Sequence, residues 1–568
     1  MNGTHAQTYR ARSPRGNRPL LVESLETRRF LDASAALVAQ IAAANSDPVS
    51  AILDLAAGQR TATEPSATKV DPALTAPPSA TRVVAEPPTE QPPASGGTEG
   101  FGATPQGASQ PPAPPRSPSD FRYVLRPGSG FSGATPTPAK RGTGLGSSST
   151  PIADWDVVPY QVVTGTLNVG VVAWHINEAG MEKVEFSANG GGWTPVTAME
   201  MNPDTGVTEY FATFRADMFN TGPVELRAVA YPVVGQPVVL PSLMLYADPN
   251  GSFANRVRHV TTTGSDTTGD GSEAKPFRTI AKAASSLQSA FGNADGGTIY
   301  LGAGSYDGST GSVTTNNAWL TISAAPGLAK NNVTISGYSG SPARLVRYDG
   351  VTMRSAVPNP SATNPRHAWY SNSDLRGSNL GENIDWAGAV HNGSTWVQTA
   401  YATDVTVGNT QNGIRNGRLI RNAVFDGIGS DALSDSSTMI NVTVRNIDTS
   451  WYTGPSSGAP HPDVYQSYAN NDDIIIYNLE ATQSINAEGI FAGGTAGRDN
   501  WAVVNAQLNT PVNTFHLGGA WDNAFFLSSA FNGAPHWLPG WMTASNFVLE
   551  AVTWNGGAPG SYAGVIIR

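Results

Sequence analysis

The chain has no cysteine, which excludes disulfides, thiolate metal sites and thiol nucleophiles while leaving the compartment open. Charge is scarce as well: 14% of residues are Asp, Glu, Lys or Arg, and the formal balance is −10. Gripping phosphates takes a basic face, so this balance argues against nucleic acid as a partner. No apolar run reaches the ~18 residues of a membrane-spanning helix, so no transmembrane segment is expected. Lysine is missing from every position after Lys330, so any base in that half must be another residue type.

What is present is glycine (61) and proline (42) among many Val, Ile, Thr and Asn, a mixture that suits strands and turns better than helical bundles. With 568 residues the chain should hold several units. Residues 1–45 read as an export segment. Arg10, Arg12, Arg15 and Arg18 precede a short apolar stretch from Ala33 to Ala44, the order of a secretory signal. Between them, Leu25-Glu26-Thr27-Arg28-Arg29-Phe30-Leu31 resembles the Leu-Glu-Pro-Arg-x-Leu-Leu motif of exported planctomycete proteins, departing from it at Thr27 and Phe30. The resemblance implies a secreted or cell-surface location.

Residues 46–150 are rich in Pro, Ala, Ser, Thr and Gly, as in Pro111-Pro112-Ala113-Pro114-Pro115. Such a stretch buries too little apolar surface to offset its ordering entropy, and a disordered spacer is expected. Residues 151–250 alternate apolar and polar side chains between Gly- and Asn-rich turns, as in 169–174, 181–186, 207–214 and 224–231. That pattern predicts a β-sandwich. The strand and turn around Glu185 to Gly191 resemble bacterial immunoglobulin-like modules, which implies a spacer or adhesion role.

From 256 to 568 the reading is a parallel β-helix. Gly264-Ser265-Asp266, Pro276-Phe277-Arg278-Thr279-Ile280 and Gly297-Thr298-Ile299-Tyr300-Leu301 follow one another, giving a strand, an amphipathic helix and a second strand. The helix would cap the open end of a stacked sheet. This string resembles the opening segment of pectate-lyase-like proteins, which implies an all-β, right-handed parallel β-helix. That fold carries lyases, hydrolases and inert adhesins alike, so function has to come from the site. Some lyases of this fold remove a proton with a lysine, a residue the later coils lack.

A strand opened by Asn or Asp recurs at Asp404, Asn422, Asn441, Asp473, Asn500, Asn523 and Asn546, and is read as one turn position per coil. A second column precedes it: Asn412, Asp431, Asp463, Glu488 and Asn513. Successive coils lie roughly 4.8 Å apart, so Asp431, Asp463 and Glu488 are expected to form a ladder. Like charges so close either raise one another's pKa or need a cation, here a Ca²⁺ ion gripping an acidic sugar. Asp and Asn in such places are also ordinary turn formers.

Beside the three carboxylates, His461 is the candidate base, delivered by the insert from Trp451 to Gln466. Tyr465, Gln466, His516 and Arg415 are candidate substrate-binding residues, with Trp451 and Trp537 as rings for stacking on sugar faces. Trp501, directly after a turn Asn, is assigned to the core. Ile566-Ile567-Arg568 shows no cap, so part of the site is expected to lie in a further segment or on another subunit. The function expected is engagement of a polysaccharide, with lyase or hydrolase chemistry at the ladder; a non-catalytic adhesin is the alternative.

Overall fold

The computed structural model describes residues 123–127 and 149–568, apart from 359–365, 387–389, 393–394, 455–459, 469–471, 494–496, 512, 534 and 556–563. The expected export segment and nearly all of the expected spacer lie outside the described residues.

Alternation in the first folded region produces two sheets, antiparallel except where Val162–Val163 pairs parallel with Leu243–Ala247. One holds Ile152–Trp155, Thr166–Trp174, Thr208–Arg215 and Glu200–Met201; the other is built around Gly222–Pro232 and Met181–Ala188. Every second residue points inward, so Val169, Val171, Phe186, Ala212, Phe214 and Leu226 share one core. The result is a β-sandwich.

From Val257–Val260 onward, 25 strands form a single sheet whose paired strands run parallel. This is a parallel β-helix. Its opening coil is closed by the helix Ile280–Phe291, capped by the Thr279 hydroxyl accepting from the Lys282 N–H and ended by left-handed Gly292. Ile280, Ala283, Ala284 and Leu287 seal the first rungs. Farther along, Tyr465, Trp501, Trp521 and Phe526 fill the lumen, and Trp501 lies in the core as assigned.

All seven residues of the expected turn column have positive φ, from 52° to 63°, but they form two corners rather than one. Asp404, Asn422 and Asn441 stack with Asn478 and Asn505. Asp473, Asn500, Asn523 and Asn546 stack with each other at the opposite end of the same strand. Both corners take Asn or Asp for the same reason, tolerance of the left-handed region, so sequence spacing alone merged them. In each corner amides join into a ladder. In the first, Asn505 donates to Asn478, Asn478 to Asn441, Asn441 to Asn422 and Asn422 to Asp404. In the second it runs from Asn523 to Asn500 to Asp473, while Asn546 donates to Asp522.

The sandwich packs on one outer face of the coils. Ile152, Val172, Trp174 and Val207 meet Leu345, Trp369, Leu419 and Phe525 there. Arg418 spans Asp154 with two hydrogen bonds of 2.7 Å, and Arg421 reaches the buried Asp156 at 2.6 Å. Burial lifts Asp156 to about 6 despite Arg421, and Glu209, buried beside it, is raised further for the same reason.

Candidate active site

Two side-chain columns meet on one face of the coils. The register pairs Asp463 with Glu488, Gln466 with Phe491, and Phe491 with His516, while Arg415 and Ser434 precede Gln466 in the same line. Asp431 falls one rung before Asp463, where the Ala432 N–H donates to the Asp463 carbonyl. Gly489 lets the next coil close on the ladder, because a Cβ there would sit 2.2 Å from the Thr514 carbonyl oxygen.

The carboxylates are buried and the groups over them are not. Asp463 is 0% exposed, with its Oδ1 lacking a hydrogen-bond partner among the described residues. His461 is half exposed and bridges two acids: Nδ1 lies 3.0 Å from Asp463 Oδ2, and Nε2 lies 3.5 Å from Glu488 Oε1. His516 Nδ1 is 3.1 Å from Glu488 Oε2, and the Asn513 amide donates to Glu488 Oε1 at 2.8 Å. Tyr468 donates to Asp431 Oδ2 at 3.3 Å. With its amide nitrogen facing the acids, Gln466 donates to Asp431 Oδ2 at 3.1 Å and Asp463 Oδ2 at 2.9 Å. The Phe491 ring lies between the two imidazoles, 4.9 Å from His461 and 4.5 Å from His516.

These surroundings drive proton affinities apart. Burial lifts Asp463 to about 7 and Asp431 to about 6, against the pull of His461 and Arg415 respectively. Burial also works to raise Glu488, but hydrogen bonds from His461 and Asn513 outweigh it and hold the group below the usual carboxylate range. His461 is pushed up to about 10, first by its bond to Asp463 and then by Glu488. An imidazole so placed keeps its proton at neutral pH, so the base role expected of His461 does not suit it.

Other expectations also change. Tyr465, expected to bind substrate, points into the lumen: it is fully buried, donates to the Ser436 carbonyl and packs on Trp501. A bend that interrupts the alternation explains this: Asp463 and Gln466 face the site while the adjacent Val464 and Tyr465 both enter the core. Trp451 is half buried, its Nε1 donating to the Gly429 carbonyl at 2.9 Å, two residues before Asp431. Trp537 lies in the strand opposite Leu517, and its side chain falls outside the described residues. Arg415 is placed 5.8 Å from the Tyr468 ring. The donor atoms that lie together, all within 4.8 Å, belong to His461, Asp463 and Glu488. Asp431, expected as a cation ligand, is not in that group; its Oδ2 takes hydrogen bonds from Tyr468 and Gln466.

Phe491 and Tyr468 complete the site without having been singled out for it, whereas Asn513 stood in the ladder column. Phe491 was within reach of sequence reasoning, since it stands three residues after Glu488, as Gln466 and His516 stand after Asp463 and Asn513. Tyr468 follows the strand and carries no such signal.

No protein-family model and no curated protein matches the chain. Among solved structures, one similar chain is the catalytic domain of a GH87 alpha-1,3-glucanase in complex with tetrasaccharides. It is 12% identical, covers 72% of this chain and 76% of its own, and has a TM-score of 0.20. A second such complex is 12% identical, covers 69% and 75%, and has a TM-score of 0.17.

Proposed function

We propose that the chain is an exported β-helix protein that binds polysaccharide and hydrolyses it at the Asp431–Asp463–Glu488 ladder. The observation that carries this reading is the split between neighbouring acids. Burial raises Asp463 to about 7, while Glu488, despite its own burial, is held below the usual carboxylate range by hydrogen bonds from His461 and Asn513. Two carboxyls held in opposite protonation states are what acid–base hydrolysis of a glycosidic bond requires. Asp463 is the proton donor and Glu488 the nucleophile. Phe491 offers a ring face to a sugar, and a seated sugar displaces the half-exposed His461 from above Asp463. Arg415, His461 and His516 give the rim a means of holding a uronate, so an acidic glycan is the favoured substrate.

β-Elimination is the weaker reading, because His461 is already protonated and the later coils have no lysine. A divalent cation would be held by His461, Asp463 and Glu488, and an imidazole in the set suits a first-row metal better than Ca²⁺. The sandwich serves as spacer or adhesion module, and the motif at Leu25–Leu31 supports export to the cell surface or medium.

The test is release of reducing ends from uronate-containing and neutral polysaccharides, with Glu488→Gln as control. Turnover that disappears in the variant supports hydrolysis. New ultraviolet absorbance from unsaturated uronates indicates a lyase instead. Binding without turnover of any polysaccharide leaves the adhesin reading and overturns this one.

A further inference from the structure

A second concave surface lies away from the ladder, where the sandwich packs on the coils. Two cavities there, of about 470 Å³ and about 210 Å³, share Asp154, Pro241 and Arg418 in their walls. Together they follow the solenoid axis from the strand His367–Ser371 to the strand Gly497–Val504. The rungs between are Ala400–Thr403, Gly417–Ile428, Thr438–Ile447 and Ile474–Ile485. At ~4.8 Å per rung the cleft runs for about 24 Å, long enough for a short oligosaccharide. The corner residues Asp435–Ser437 separate it from the ladder, so the two surfaces are distinct.

Its walls differ in character. The coils supply a polar floor that includes Gln398, Ser437, Asp472, Asp473 and Asn500, and the sandwich supplies an apolar lip at Val238 and Val239, with Val239 59% exposed. At the far end stand Tyr401, Tyr160 and His367. Two features there point to a ligand. His367 Nδ1 is buried without a hydrogen-bond partner among the described residues, an arrangement that is costly to leave unmade. Tyr160 is held at φ 61°, a conformation that bulky residues rarely adopt and that collects at binding sites.

We propose that this cleft is a glycan-binding site built jointly by the sandwich and the β-helix, and that it takes a neutral, hydroxyl-rich oligosaccharide. A sugar hydroxyl both donates and accepts, so it can satisfy His367 Nδ1 whichever ring nitrogen carries the proton. Burial pushes His367 down to about 4, which keeps the ring neutral and removes it as an anchor for anions. The guanidinium of Arg418 is committed to Asp154 through two bonds of 2.7 Å. Asp472 and Asp473 therefore stand in the floor with no uncommitted lysine or arginine lining it among the described residues, and a uronate would meet repulsion there. The apolar lip and the tyrosine rings suit the C–H faces of pyranoses. This inference does not depend on hydrolysis at the ladder, and the two readings fail separately.

The experiment is isothermal titration of the full chain carrying Glu488→Gln, so that turnover does not interfere, with cellohexaose, xylohexaose, mannohexaose and trigalacturonate. A neutral hexasaccharide is expected to bind, and Asn500→Ala, His367→Phe and Val239→Arg should each weaken it about tenfold, the scale of one or two lost hydrogen bonds. Val239→Arg alters only an exposed lip, so its loss of binding is free of any folding defect. The proposal is overturned if no neutral hexasaccharide binds, if trigalacturonate binds more tightly than all of them, or if Val239→Arg and Asn500→Ala leave affinity unchanged.

Discussion

The Nδ1 of His461 lies 3.0 Å from Oδ2 of Asp463, so a half-exposed ring covers a carboxyl group that has no exposure of its own. The pair makes stability depend on alkaline pH. His461 is at about 10 when folded and 6.5 as its ordinary value; its contribution is therefore complete below 6.5 and is lost as pH rises towards 10. Asp463, raised to about 7, acts in the same direction, because the folded state prefers it protonated. Thermal unfolding followed from pH 6 to 10 should show a falling Tm. His461→Gln should flatten the upper part of that curve, and an unchanged slope would count against the pairing.

If Asp463 donates the proton, hydrolysis should decline as pH rises through about 7, while the acid side is set by Glu488 at lower pH. Asp463→Asn should cost about 10²–10⁴ in kcat, the usual worth of a general acid. It should also remove the alkaline limb, which distinguishes loss of the acid from loss of packing. Steady-state rates from pH 4 to 9 test both points.

Oxygen atoms of Asp463 and Glu488 lie within 4.8 Å of one another. That is nearer the ~5–5.5 Å carboxyl separation of retaining glycosidases than the wider gap that leaves room for a water. The first product should therefore keep the anomeric configuration of the substrate, as read by proton NMR immediately after mixing. Inversion would mean that Glu488 pairs with Asp431, one rung farther away.

At the seam, Asp156→Ala leaves the largely buried Arg421 without its 2.6 Å partner. Such a loss should cost about 3–5 kcal/mol in urea unfolding. Asp156 is raised to about 6 from an ordinary 3.8, so the wild-type seam should be tightest below pH 4 and loosen as pH passes 6. Asp156→Asn should remove much of that dependence. Limited proteolysis between sandwich and coils would report it.

Asn441→Ala removes two ladder bonds and puts at φ 53° a residue without the short polar side chain that lets Asn tolerate that conformation. About 1–2 kcal/mol of backbone strain is expected on top of the lost bonds. Asn441→Gly, which avoids the strain, should be the milder variant by equilibrium denaturation.

The fold was legible because it repeats. Asn422, Asn441, Asn500 and Asn523 each mark a bend, and the opening segment from Gly264 to Leu301 marks where the coils begin. The ladder of Asp431, Asp463 and Glu488 was legible for the same reason, since one polar residue per coil projects onto a line. Which of two corners an Asn occupies was not legible, because both demand the same backbone conformation and differ only by the strand between them. Tyr465 was misplaced because a bend interrupts the alternation and turns both Val464 and Tyr465 inward. The protonated state of His461 rests first on Asp463, two residues away, and then on Glu488, 27 positions later in the numbering and met across a rung; the local pattern records the first pairing and not the second. The seam pairs Asp154–Arg418 and Asp156–Arg421 join units that sequence shows only as separate.

The corner amides all point one way. Each Asn hands its N–H₂ to the rung before it, and both ladders end on a carboxylate, Asp404 in one and Asp473 in the other. An ionised carboxylate can only accept, so it fixes the orientation of the first amide, and that amide fixes the next. The two aspartates thus act as polarity markers. Exchanging Asp404 for Asn would leave the stack able to run in either sense, with no group at its end to choose between them.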